Sequence, residues 1–286
     1  MLLAYPDIEI AGITTVTEQE GRRAGYVYEV LKLAGRTGIP VAAGAADGLK
    51  GLRVWPGIPK ESDFWPEPVV PRPNRPEKAL DLIDASVAQA ATMIGIGPHT
   101  NLALYEALHP GALARSGLVL MGGYIGPIKE GLPQWGPRED WNMQLDIEAT
   151  RQVLESCRPL LVPINVTLQT HLCARDLPRL RTAGPLGELM ARQAEANDRL
   201  YDNHRLGKGH ELLPDDLLNF HHDPLACAVA LGWDGVRIEE LPLRLEVVDG
   251  YLVESVDSSG RPLQVVTAVD AERFNRLWLD LVAPTG

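Results

Sequence analysis

The densest grouping of reactive side chains in this 286-residue chain is Asn219-Phe220-His221-His222-Asp223-Pro224-Leu225-Ala226. Two imidazoles and a carboxylate stand directly before a proline and an apolar run. Imidazole is the side chain that exchanges a proton near neutral pH, and a carboxylate can hold a hard cation. Asp before Pro reads as an N-cap and first-turn pair. That makes Asp223 the cap of a helix running through Cys227, Val229 and Leu231. The positive end of the helix then lies beside the polar cluster. A capped core helix with a satisfied histidine accounts for the same residues, so the rest of the chain must discriminate.

The elements that would position this cluster alternate between strand and helix. Ile8–Val16 reads as a β-branched strand, Arg22–Leu33 as a helix closed by Gly35, and Ile39–Ala43 as a short buried strand. Strand, helix, strand is the signature of a parallel crossover. The alternation resumes with a helix over Glu77–Gln89, a strand over Thr92–Ile96, a helix over Asn101–Leu108 and a strand over Leu118–Met121. Asp146 caps a helix to Cys157, and Leu160–Ile164 is the next strand. An amphipathic helix spans Leu186–Arg205. Short strands near Leu241–Val248, Leu252–Val256 and Leu263–Ala268 precede a last helix, Ala271–Val282, capped by Asp270. The chain reads as one α/β domain over residues 1–286, an open, mostly parallel sheet flanked by helices. Residues 55–76 interrupt the pattern with seven prolines beside Trp55, Phe64 and Trp65, a segment long enough for a lid or binding loop. A surface loop pinned by its aromatics fits the same composition.

Composition narrows the partners. Hydrophobic residues make up 45% and charged residues 23%, and the formal net charge is −11. No dense Lys/Arg cluster occurs, so nucleic acid and anionic membrane are poor partners, and a small molecule or metal ion fits better. Cys157, Cys173 and Cys227 are an odd set without C-x-x-C spacing, which favours a reducing compartment over a disulfide framework. No apolar run is long enough to span a bilayer, and the first residues lack a signal-peptide pattern, so the cytoplasm is the expected location.

In open α/β sheets ligands sit beyond the carboxyl ends of the strands. The loops that follow strands here are Gly97-Pro98-His99-Thr100-Asn101, Met121-Gly122-Gly123 leading to Glu139-Asp140-Trp141-Asn142, and Asn165-Val166-Thr167. Gly95-Ile96-Gly97 begins like a dinucleotide loop but lacks the third glycine and the later acidic residue. A phosphate-binding lysine loop and a G-x-S-x-G elbow are absent as well.

Taken in order, several motifs resemble the inosine–uridine-type nucleoside hydrolases. They are Gly12-Ile13-Thr14-Thr15-Val16, Ile39-Pro40-Val41-Ala42-Ala43-Gly44, Gly97-Pro98-His99-Thr100-Asn101, Val119-Leu120-Met121-Gly122-Gly123, Asp140-Trp141-Asn142 with Asp146, and His222-Asp223-Pro224-Leu225-Ala226. The resemblance implies hydrolysis of the N-glycosidic bond of a ribonucleoside to ribose and free base. It implies a water activated by calcium and an oxocarbenium-like transition state. Carried onto this chain, it makes Asp223 a calcium ligand and Ile96 the donor of a backbone carbonyl to the same ion. Asp140 and Asn142 become ribose binders, Met121 lies beneath the sugar, and His222 is the acid to the departing base. It also implies a homodimer or homotetramer and a place in nucleoside metabolism such as purine salvage.

The chain departs from the pattern in informative places. Asp140 stands where the family has a glutamate, one methylene longer. The loop from Gly123 to Asp140 is longer than usual, with Gln134, Trp135 and Glu139 in reach of a missing asparagine's role. Thr17-Glu18-Gln19 follows the Thr-Thr-Val strand where an asparagine is usual. The family's opening strand and its Asp-x-Asp-x-Gly-x-Asp-Asp loop, source of most calcium ligands and of the catalytic base, have no counterpart in this sequence. Two expectations follow. Either this is a clipped form of a working hydrolase, impaired and with weak or absent calcium binding, or it is an inactive nucleoside- or ribose-binding pseudoenzyme.

Overall fold

The computed structural model describes residues 1–53, 60–75 and 77–285. The opening crossover is present: β1 (Ile13–Thr15), α1 (Arg22–Leu33) and β2 (Val41–Ala43), with Ile13 opposite Val41 in parallel register. The expected strand from Ile8 is cut to three residues, because those three alone find a ladder partner in β2. Next come α2 (Glu61–Phe64), α3 (Glu77–Ala88), β3 (Met93–Gly95), α4 (Thr100–Leu108), β4 (Leu118–Met121), α5 (Trp141–Leu145), α6 (Ile147–Ser156) and β5 (Leu160–Val162). They are followed by α7 (Ile164–Thr167), β6 (His171–Cys173), α8 (Leu177–Thr182), α9 (Pro185–Tyr201), α10 (Asn203–Lys208) and β7 (Leu217–Phe220). The chain closes with α11 (His222–Ala230), β8 (Val236–Val248), β9 (Tyr251–Val256), β10 (Arg261–Val269) and α12 (Ala271–Val282).

The main sheet has the order β3-β4-β5-β10-β8-β9, parallel through β10 and antiparallel beyond it. Three short strands of near-continuous apolar sequence, β3, β4 and β5, suit a sheet covered on both faces. In β4, Val119 and Met121 join a core with Leu225, Ala226, Phe274 and Trp278, whereas Leu118 and Leu120 join one with Leu102, Val153 and Leu161. Thus α11 and α12 cover one face and α4 and α6 the other. A separate antiparallel pair, β6 with β7, runs Phe220 directly into α11.

The expected single open sheet is divided. Among the described residues β1 and β2 bond to each other and not to β3. Instead β1 and β3 both line a slot of about 420 Å³, walled by Ile13, Val16, Ile83, Ile94, Leu102 and Trp141. One side chain bridges the division at its carboxyl end. Asn101, near the start of α4, donates to the Thr15 carbonyl at 2.8 Å and accepts from the Ala45 amide at 2.9 Å.

Two elements differ from the sequence reading for local reasons. The helix expected through Arg205 breaks at Asp202, where φ is +55°. Asp198 drives the break by accepting from the His204 amide and ring at 2.8 and 2.7 Å, which caps α10. In the proline-rich segment, Trp65 is buried and stacks on Tyr26 of α1 at 5.1 Å, and Glu61 accepts from Tyr26, Arg22 and the Val69 amide. That is the pinned-loop reading; Trp55 lies outside the described residues.

Asn101→Ala leaves the Ala45 amide without its partner, while the Thr15 carbonyl keeps the Gly44 amide at 3.0 Å, and one orphaned buried group costs about 1–3 kcal/mol. A urea midpoint lowered by that amount, with the slope unchanged, is expected; an unaltered midpoint would show that the bridge carries no stability.

Candidate functional site

Three of the sequence-predicted residues converge on the turn after β4. Gly122 and Gly123 have φ of +148° and +102°, and a Cβ on Gly122 would meet Met143 Cγ at 3.0 Å. Glycine is therefore required where the backbone leaves the strand. Asn142 donates to the Met121 carbonyl at 3.0 Å and lies 3.1 Å from its sulfur. Asp140 accepts from the Gly123 amide through Oδ2 and from the Met143 amide at 3.1 Å through Oδ1, so it also caps α5. Burial pushes the Asp140 carboxyl up to about 6, against the opposing pull of the Gly123, Met143 and Asn142 amides.

His222 and Asp223 meet elsewhere, in a pocket of about 380 Å³ with Asn219, Phe220, Pro224 and Trp278 in its wall. The pair is carried by the first turn of α11, which packs against β4 and β3. His221 is the N-cap of α11, with its amide held by the Thr170 carbonyl at 2.9 Å. This corrects the assignment of Asp223 as the cap, and moves the Asp223 side chain from the helix end to the pocket wall. Burial pushes its carboxyl up to about 7, with no cation or donor among the described residues acting against it.

His222 Nδ1 lies 2.6 Å from the Thr167 hydroxyl of α7. The other acceptor for that hydroxyl, the Ile164 carbonyl, is farther at 3.4 Å. Assigning the hydroxyl proton to the shorter of the two contacts makes Nδ1 the acceptor and puts the imidazole's own proton on Nε2. Burial lowers the His222 pKa to about 4, so the ring is neutral at physiological pH. Phe220 lies between His222, at 5.4 Å, and Trp135 of the long loop, at 5.6 Å. Trp135 therefore packs edge-on against Phe220 of the pocket wall, whereas Gln134 bonds back to the Lys129 and Leu132 carbonyls. His221 is buried against Trp278 and Phe274 and its pKa falls to about 3, foremost through burial, which is the satisfied core histidine.

Ile96 is set apart from both groups. It is 42% exposed and lies in the wall of the slot between β1 and β3. The donor set does not fit a calcium ion, which takes about 6–8 oxygens. Among the described residues no group of three or more His, Cys, Asp or Glu side chains is arranged to hold a metal.

Two participants escaped the sequence reading. Thr167 sat in a loop already singled out, but nothing local ties it to His222, 55 residues away. Glu254 is 4% exposed on β9 and accepts from the Tyr124 amide at 3.2 Å. Its signal was available: alternation along the strand places it on the same face as buried Leu252.

The fold has counterparts among known proteins. Residues 1–276 match the family described as inosine-uridine preferring nucleoside hydrolase. The chain belongs to that family. It is 30% identical over 203 residues to the pyrimidine-specific ribonucleoside hydrolase RihA of Salmonella paratyphi A, covering 67% of this chain and 63% of that protein. It is 28% identical over 308 residues to the enzyme of the same description from Shewanella sp. (strain ANA-3), covering 99% and 91%. Its fold superposes on the purine-preferring ribonucleoside hydrolase from Gardnerella vaginalis with a TM-score of 0.79 at 22% identity, covering 99% and 92%. No helix of the described residues is long and apolar enough to cross a membrane.

Thr167→Val removes the donor to Nδ1 while keeping the shape of the side chain. Nitrogen-15 NMR of the imidazole is expected to change from one Nε2–H tautomer to a mixture. A spectrum identical to that of the parent would show that another group fixes the ring.

Proposed function

We propose that this chain carries the ribose- and base-facing side of a ribonucleoside hydrolase, which cleaves the N-glycosidic bond to release ribose and free base. The observation that supports this most is the placement of two clusters around one strand. The β4 turn is gripped by Asp140 and Asn142, and α11, which brings His222 and Asp223, packs against β4 itself.

The chemistry follows from the groups present. Cleavage leaves positive charge on the sugar and an electron pair on the base nitrogen. Each Asp140 oxygen that accepts a backbone amide keeps a second lone pair, free to accept from a ribose hydroxyl. Asn142 and Met121 shape the floor beneath the sugar. Neutral His222 directs its Nε2–H at the base, where a hydrogen bond strengthens as negative charge develops, and that nitrogen is the route by which a proton reaches the leaving group. Of the two proposed ligands, Asp223 lines the His222 pocket and Ile96 the separate slot, and among the described residues no metal-holding group of His, Cys, Asp or Glu joins them, which is too little to hold calcium firmly. Turnover by this chain alone is therefore impaired. The rival reading, a pseudoenzyme that binds a nucleoside or ribose without cleaving it, rests on the same shortage of ligands.

Ribose release from uridine and from inosine, with and without added calcium, separates the readings. The comparison is with a fusion carrying a strand and an Asp-x-Asp-x-Gly-x-Asp-Asp loop ahead of Met1. The fusion is expected to turn over at least about tenfold faster, and His222→Ala within it to lower kcat about a hundredfold. Equal robust rates would sink the impairment, and nucleoside binding without ribose release in both proteins would establish the pseudoenzyme.

A further inference from the structure

Two carboxyl groups from distant parts of the chain grip successive amides of one turn. Asp140, at the start of α5, takes Gly123, and Glu254, from β9, takes Tyr124. Both are buried, at 2% and 4% exposure. The second oxygen of Glu254, Oε1, is buried and has no hydrogen-bond partner. An ionised carboxylate offers only acceptors and would leave that oxygen charged and unsolvated, whereas a neutral carboxyl needs one carbonyl acceptor and one hydroxyl.

We propose that Glu254 is a positioning residue that holds the Gly122–Tyr124 turn in its neutral form, the Asp140–Glu254 pair carrying a single proton between them. The carbonyl oxygen, Oε2, accepts from Tyr124, and the proton sits on Oε1, where an unpaired neutral hydroxyl costs less than an unpaired charge. Losing that proton places two negative charges around one turn. Because β9 is the edge strand of the sheet, Glu254 then swings toward solvent and releases the Tyr124 amide.

The surroundings fit a pair isolated from other charges. β9 packs against β8, α5 and the turn at Pro137–Glu139. On β8, Arg244 and Glu246 flank Leu245, the register partner of Glu254, and both are exposed and paired with each other. Arg138 and Arg53 stack over Tyr251, three residues before Glu254, and Glu139 is exposed and accepts from the Gly136 amide. Among the described residues Asp140 is the one charge that acts on Glu254. Burial first, and Asp140 second, push Glu254 up to about 8, while Asp140 stands at about 6, so one proton is shared across neutrality.

The sign of the pH effect follows. A carboxyl whose folded pKa is raised from 4.5 to about 8 stabilises the fold fully below the lower value, and that contribution is lost as pH rises through the upper one. Ligand-free amide hydrogen exchange of Gly123 and Tyr124, corrected for intrinsic base catalysis, reads the grip from about pH 6 to about pH 9. The parent protein is expected to lose about tenfold in protection across this range, and Glu254→Gln, which cannot ionise, to stay flat. Identical profiles in both proteins would overturn the proposal. Should Glu254→Gln fail to fold, Asp140→Asn serves instead: removing the neighbouring charge is expected to move the loss of protection to lower pH, and an unmoved transition would overturn it.

The importance of this turn for ligand binding rests on the proposed ribose-facing role, and uridine and inosine affinity across the same range tests that part separately. Protection that follows pH while affinity does not leaves the clamp standing and removes the ribose reading of the turn.

Discussion

Where β4 ends at Met121, its backbone loses the ladder partners that a strand provides, and the next five residues, buried at first and exposed by Gly126, must find others. They are satisfied almost entirely by side chains and loop backbone. Asn142 takes the Met121 carbonyl, Val162 the Gly122 amide, Asp140 the Gly123 amide, the Ile164 amide the Gly123 carbonyl, Glu254 the Tyr124 amide, and Asn165 both Ile125 and Gly126. Unpaired, each buried group would cost about 1–3 kcal/mol, so the turn has one arrangement and the residues around it have fixed roles. The candidate site is organised by this requirement. Asp140 cannot be moved without releasing the start of α5, and α5 cannot move without releasing Met121.

Burial governs the electrostatics of both clusters. His222, Asp140, Asp223 and Glu254 are all shifted toward their neutral forms, foremost through desolvation. A chain with a net charge of −11 has thus placed several of its acids where charge is unfavourable. Such shifts gather at functional sites because chemistry needs protonation states that water would not give. In His222 the consequence is a defined donor, Nε2–H, held by Thr167 before any ligand arrives. In the acids the consequence is a sensitivity to any nearby positive charge, which would return them to ionised form.

Much of this was legible in the chain. The caps at Asp146 and Asp270 are as read, each accepting from the amide three residues on. The helices behind them, and the parallel strands at Met93–Gly95, Leu118–Met121 and Leu160–Val162, follow from periodicity and composition. The ordered motifs led to the family, and three of the residues they singled out, Asp140, Asn142 and Met121, do meet at one turn. What the chain did not disclose depends on partners far away in sequence. That β10 lies beside β5 is set by pairing across about a hundred residues, and Glu254 reaches Tyr124 across 130. Asp223 looked like a cap because Asp-Pro at a helix start normally is one. The Thr170 carbonyl shifts the start by fixing His221 instead.

The division of the sheet has a consequence for how the molecule comes apart. β1, α1 and β2 form a local crossover whose attachment to the main sheet runs through packing against α3 and the two bonds of Asn101, not through a continuous ladder. A unit joined by few directional contacts opens at a lower free energy than the body it rests on. Residues 13–43 are therefore the stretch expected to melt and re-form first, while the helices and strands around His222 remain native.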